Sequence, residues 1–236
     1  MLINATIIIL GFWAPWIELW HIGRRISLLE WLALEFARMG IASFSTATTA
    51  LLILAGLIAA KGVLFRVWGT AYLGTSTVNS MSMVAGKVMA EGPFRYMRNP
   101  LYIGLWCMVI ALAFLMPVTG AVFAVILIAI FALRLVLGEE AFLTGQLGEP
   151  YLAYMRAVPR FVPRLRGGLA PAGTKPHWLR ASLAELTPIG IFVAIVVFSR
   201  TYDPKLAGRI ILIFFGASIV VRAIMPGVPV SPEPVK

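Results

Sequence analysis

The sequence predicts an all-α fold, a polytopic integral membrane bundle of about five to six transmembrane helices. Three observations predict it. Hydrophobic residues make up 60% of the 236 positions and charged residues only 13%, where a soluble domain carries about 25%. Mean hydropathy is +0.91, and the apolar residues fall in long runs. The charges gather at the ends of those runs. No polar linker separates independent domains. The chain divides into N-terminal membrane and interfacial helices over 1–60, a motif-bearing core over 61–182 and a C-terminal apolar hairpin with a tail over 183–236.

Leu2 to Ile17 is apolar. It lacks a basic start, and Glu18 follows in place of a small-residue cleavage site, so it reads as a retained helix. Trp13, Trp16 and Trp20 suit an interfacial belt at its end. From Ser27 to Met39, Leu28, Leu29 and Leu32 alternate with Glu30, Glu35 and Arg38 at helical spacing. That pattern predicts a helix lying along the interface. Ile41 to Ala60 carries no charge, spans the hydrocarbon core and is expected to end at Lys61. Residues 62–99 read as turns and short helices, with Gly69, Gly74, Gly86 and Gly92 as breaks.

Leu101 to Leu137 is one apolar tract with Pro117 near its middle. A single helix of that length would run roughly 55 Å, far beyond the bilayer core. Two helices turning at Met116 to Gly120 are therefore expected. Such a hairpin returns Arg98, Asn99 and Pro100 to the neighbourhood of Arg134 and Glu139. Ala141 to Tyr154 reads as partly helical, and Val158 to Arg164 as extended, because each proline restrains its predecessor. Leu186 to Ser199 and Ile210 to Val221 are apolar but short for spans; Arg200, Arg209 and Arg222 can snorkel from their ends.

The formal net charge is +10. Lys61, Arg66, Lys87, Arg95 and Arg98 precede the long tract, and Arg156, Arg160, Arg164, Arg166, Lys175 and Arg180 follow it. This excess predicts that both segments face the cytoplasm. Cations flanking apolar runs meet lipid headgroups, so no nucleic-acid partner is expected. Cys107 is the single cysteine, and His21 and His177 are the only histidines. Neither a disulfide within the chain nor a Cys/His metal cluster is expected.

Two polar motifs stand at the two feet of the hairpin. The first is Gly92-Pro-Phe-Arg-Tyr-Met-Arg-Asn-Pro-Leu-Tyr-Ile-Gly104. The second starts at Glu139-Glu140 and continues through Gly148, Tyr151, Tyr154, Val158, Pro159 and Arg160. Arg95 and Arg98 can bind a carboxylate or phosphate through paired N–H donors. A glutamate of the pair can accept from an amine or from ribose hydroxyls. Asn99 and Tyr102 lie close to one helical turn apart and can share a face. Each feature alone has a plainer reading: arginines at helix ends serve topology, acid pairs are solvated, and tyrosines anchor at interfaces. Their combination at both feet of one hairpin points to a site for a small zwitterionic cofactor beside an apolar groove.

The first motif closely resembles that of the isoprenylcysteine carboxyl methyltransferase family, roughly G-x-Y-x-x-x-R-H-P-x-Y-x-G. The second resembles the family's E-E-x-x-L, F-G-x-x-Y-x-x-Y and V-P elements, in the same order and spacing. The resemblance covers about 75–165 and extends to a superfamily that includes phospholipid N-methyltransferases. It implies a cytoplasmic pocket for S-adenosylmethionine, contacted by Lys87, Val88, Met89, Phe94, Asn99, Pro100, Leu101, Tyr102 and Glu139. It implies a lipidic or prenylated acceptor, small molecule or peptide, oriented by Arg98 or by Arg134. A carboxylate acceptor is already ionised near neutral pH; an amine would need a base, for which Glu140 is the nearest candidate. One departure matters. Asn99 stands where the family has histidine, and asparagine cannot carry a proton near neutral pH. Two rival readings follow. One is an NADPH-dependent membrane reductase of sterol-like enones, its 2′-phosphate held by Arg160, Arg164 and Arg166. The other is a non-catalytic membrane protein that keeps the fold.

Overall fold

The computed structural model describes Thr6, Leu10, Leu169 and residues 26–73, 90–164 and 175–225. Most of the first apolar run lies outside the described residues. So does the segment 74–89, with Lys87, Val88 and Met89. The described residues form eight α-helices, one 3₁₀ turn and no β-strand. In chain order the helices are α1 (Leu28–Arg38), α2 (Phe44–Leu73), α3 (Pro100–Ala113), α4 (Val118–Leu147), α5 (Glu149–Ala157), α6 (Trp178–Ala184), α7 (Leu186–Thr201) and α8 (Pro204–Ile224). The 3₁₀ turn spans Gly92–Arg95. By length and composition α2, α4 and α8 can each cross a membrane, and the bent pair α6–α7 makes a possible fourth span. Helix α3 has 14 residues and is shorter than a full span.

Helix α1 begins with a capping box. The Ser27 hydroxyl accepts the Glu30 N–H at 3.2 Å, and the Glu30 carboxylate accepts the Ser27 N–H at 2.8 Å. Its first turn is also tied to the hairpin turn: Leu28 N–H donates to Met116 O at 2.8 Å and Leu29 N–H to Phe114 O at 2.9 Å. These carbonyls satisfy amides that a helix start leaves free. The amphipathic segment is thus anchored to the end of the bundle remote from the motifs, with Leu29 and Ala33 buried.

Helix α2 does not stop at Lys61; it runs on to Leu73. A lysine is a good helix former and its stem can carry the charge outward. Lys61 is exposed, with Nζ 5.9 Å from the Phe65 ring centre. Nor does Gly69 break the helix. Gly62 and Gly69 lie inside α2 and are buried against α3. A Cβ on Gly62 would stand 3.0 Å from Gly104 O, and one on Gly104 would stand 2.9 Å from Gly62 O. The two backbones therefore approach more closely than side chains allow, a packing typical of membrane helices. Leu101 fills the space over Gly69.

Helices α3 and α4 form the expected hairpin. Pro100 occupies the first turn of α3, where its missing N–H costs nothing. The chain reverses through Phe114 to Pro117. The apolar run ends at Leu137, yet α4 continues to Leu147, so Arg134, Glu139 and Glu140 all stand on one helix. Gly148, at φ +59°, turns the chain into α5. At the C-terminal side α6 and α7 meet at a bend of 71° centred on Glu185. Helix α8 is longer than its apolar run because Asp203 caps it, accepting the N–H groups of Lys205 at 2.8 Å and Leu206 at 3.1 Å. The core is an alanine-rich seam in which Ala55 and Ala59 of α2 meet Met108 and Ala111 of α3 and Ile195 of α7.

This packing predicts a contrast between two glycines. Gly104→Ala should lower stability in detergent by about 1–3 kcal/mol, because the backbone of α2 cannot yield. Gly216→Ala meets open space and should leave the melting temperature unchanged or raise it slightly. Thermal unfolding followed by circular dichroism checks both.

Candidate active site at the feet of the hairpin

The first motif is folded by its glycine and proline. Gly92 has φ +51°, and a Cβ there would lie 2.3 Å from the Tyr72 ring. Backbone conformation and contact both demand glycine. The 3₁₀ turn that follows is pinned from the second motif, since the buried Tyr154 hydroxyl donates to Phe94 O at 2.8 Å. The segment after Val158 then lies along the first motif. Arg98 N–H donates to Pro159 O at 2.9 Å, Arg164 N–H to Tyr96 O at 2.9 Å and Asn99 Nδ2 to Arg160 O at 3.2 Å. Val158 to Arg164 is irregular rather than helical, as its prolines predict.

The charges meet where the two motifs touch. Glu140 is buried and accepts from Arg160 Nη2 at 2.7 Å and Nε at 3.1 Å. Arg98 Nη1 lies 3.0 Å from the same carboxylate, near enough for an ion pair but without hydrogen-bond direction. Arg98 Nε likewise has no hydrogen-bond partner, although the side chain is only 10% exposed. A buried donor without an acceptor is costly and marks a place where a ligand acceptor fits. One turn of helix away, the Tyr102 hydroxyl donates to Glu139 Oε2 at 3.2 Å. Burial, reinforced by the Glu140 charge, pushes the Tyr151 phenol up to about 12. Burial and then Tyr151 push Tyr154 higher than an ordinary phenol. Both rings therefore remain protonated donors at neutral pH.

The structure brings together Phe94, Arg98, Asn99, Tyr102, Glu139 and Glu140 at one end of the bundle. Pro100 and Leu101 share this turn, but their side chains pack toward Gly69 of α2. Lys87, Val88 and Met89 are outside the described residues. Arg134 is not gathered with the others. It is exposed on α4, and 134 and 140 are about 120° apart around the helix axis. It pairs with no carboxylate among the described residues. Glu140 sits between two guanidinium groups, which occupy its carboxylate, so it is a poor free base. Arg95 does not face an anion either: its Nε donates to Leu169 O, and its guanidinium lies 5.5 Å from the Tyr96 ring centre.

Sequence reasoning missed a second charge cluster. Glu185, 1% exposed, accepts from Arg66 Nε at 2.5 Å, Arg66 Nη2 at 3.0 Å and Thr70 Oγ1 at 2.7 Å. The only trace in the sequence was a lone arginine shortly after the charge-free run 41–60 and a lone acid just before the run from Leu186. A charge of each sign in apolar surroundings calls for a partner.

Residues 49–149 match the model of the phospholipid methyltransferase family. That family stands in the membrane methyltransferase superfamily with the isoprenylcysteine carboxyl methyltransferases. No curated protein and no solved structure matches the chain. The phospholipid methyltransferase match runs from α2 into the start of α5 and contains the first motif, Glu139 and Glu140. It supports a membrane methyltransferase, and with the apolar spans it makes this an integral membrane protein.

Two carboxylates should behave differently here. Glu140→Ala leaves Arg98 and Arg160 without their shared partner and should cost about 3–5 kcal/mol. Glu149→Ala breaks only the exposed pair with Arg156 and should change stability by no more than about 0.5 kcal/mol. Denaturation of the purified variants in one detergent measures the contrast.

Proposed function

We propose that this protein is an S-adenosylmethionine-dependent methyltransferase of the membrane, acting on a lipidic or otherwise apolar acceptor. The observation that carries this reading is the joining of the two motifs through Tyr102 to Glu139 and Arg98 to Glu140 at one end of the hairpin. The match to phospholipid methyltransferases covers the same residues.

The donor set suits the cofactor. The unpartnered Arg98 Nε is a fit for a carboxylate. Glu139, engaged by a single hydroxyl, keeps acceptor capacity for an ammonium group or ribose hydroxyls. Asn99 and Tyr102 would complete the cradle. S-adenosylmethionine, when bound, supplies an electrophilic methyl group carried on a sulfonium. The protein's part is to hold, orient and desolvate.

The acceptor class decides what else the residues do. A prenylated or lipidic carboxylate needs no base, and the buried Arg98 suits an anion, so carboxylate O-methylation is our first reading. A lipid amine is the second, favoured by the phospholipid methyltransferase match. An amine must lose a proton. Glu139 is better placed for this than Glu140, whose carboxylate is already held by Arg98 and Arg160. The NADPH alternative loses support from the same geometry. Arg160 is committed to Glu140, and Arg164 Nη1 donates to Ala157 O at 3.2 Å.

The motif-bearing end faces the cytoplasm in this reading, following the excess of Lys and Arg around it. After Cys107→Ser, cysteine at Glu149 should label from the cytoplasmic side of oriented vesicles, and cysteine at Met39 from the opposite side. The reverse pattern would invert the orientation.

Calorimetry in detergent tests the function. S-adenosylmethionine should bind and NADPH should not. Tyr102→Phe should weaken binding of S-adenosylmethionine by about tenfold, the loss of one hydrogen bond to a charged group, and Glu139→Ala by more. Equal binding in all three proteins would contradict the assignment. Methyl transfer to a farnesyl-cysteine carboxylate against transfer to phosphatidylethanolamine then separates the two acceptors.

A further inference from the structure

The buried cluster at the bend between α6 and α7 has no part in the chemistry above. Glu185 takes three hydrogen bonds, two from Arg66 and one from Thr70. Thr70 is as buried as Glu185, and the Arg66 side chain is 19% exposed. Arg66 and Thr70 belong to α2, within the segment that matches the family. Glu185 lies outside that segment. The matched segment therefore contains a cation whose counter-ion comes from the C-terminal helices.

The Arg66 side chain lies against the motif helix. Its stem crosses α3 at Gly104, where an added Cβ would stand 2.5 Å from Arg66 Cγ. Gly104 is two residues beyond Tyr102 on the same helix. A chain of contacts thus runs from Glu185 through Arg66 to the turn that carries Tyr102. A bidentate carboxylate fixes a guanidinium in one plane. Without it Arg66 would swing toward solvent, and the groove over Gly104 would lose its filling.

We propose that Glu185 is a positioning residue for the cofactor pocket, acting through Arg66 on the Tyr102 turn of α3. The C-terminal hairpin is then part of the site rather than only part of the bundle. This rests on the methyltransferase reading given above.

Three full-length variants test it, each assayed for S-adenosylmethionine affinity by calorimetry and for melting temperature in one detergent. Glu185→Gln keeps the shape and removes the charge. Glu185→Asp keeps the charge on a shorter arm. The double variant Arg66→Met with Glu185→Leu replaces the ion pair by apolar groups of similar volume, an exchange that commonly preserves or raises stability. Glu185→Gln should weaken cofactor binding by about tenfold or more, as displaced contacts do. Glu185→Asp should recover part of that loss. The double variant should melt near the wild-type temperature and still bind weakly. A purely structural Glu185 would give the double variant wild-type affinity along with wild-type stability. That result, or wild-type affinity in whichever variants are recovered folded, overturns the proposal while leaving the methyltransferase reading intact. Absence of binding by the wild-type protein overturns both.

Discussion

The Glu140 carboxylate, buried between Arg98 and Arg160, is the interaction on which the arrangement of the site depends. Arg98 belongs to the turn before α3, Glu140 to the far end of α4, and Arg160 to the irregular segment beyond α5. One anion thereby ties three stretches that are distant in sequence. A carboxylate in such surroundings cannot be left without a partner, because a buried unpaired charge costs several kcal/mol. The hairpin must close in register for the three to meet. Tyr102 and Glu139 come together as a consequence of that register, since each neighbours a member of the cluster along its own helix.

The glycines allow this closure. Gly62 and Gly104 let α2 and α3 touch backbone to backbone, and Gly92 gives the turn its left-handed conformation against Tyr72. In a bilayer the apolar faces of these helices gain little by leaving lipid. Close packing and buried polar pairs carry the association instead. Among the described residues, the charge clusters at Glu140 and at Glu185 are of this kind, both toward the motif-bearing end.

Much of this was legible in the sequence, for physical reasons. A tract as long as 101–137 cannot cross a bilayer once, so the hairpin follows from length alone. Prolines after Val158 predict the irregular segment that lies along the first motif. Other features were hidden. The stop expected at Lys61 failed because a charge ends an apolar run without ending a helix. Gly69 read as a break, whereas its lack of a side chain serves packing against Leu101. The pairing of Arg66 with Glu185 joins positions 119 apart, and no local pattern encodes a contact of that range. The resemblance points to Arg134 as the basic residue before the Glu pair, and helical phase leaves it exposed on α4.

In the proposed reading both motifs surround one cofactor. An experimental map of the protein in lipid nanodiscs, prepared with S-adenosylmethionine, tests it most directly. Density for the cofactor bordered by Arg98, Asn99, Tyr102 and Glu139 is the result this account predicts. Cofactor bound elsewhere, or the two motifs held apart on opposite membrane faces, would contradict it.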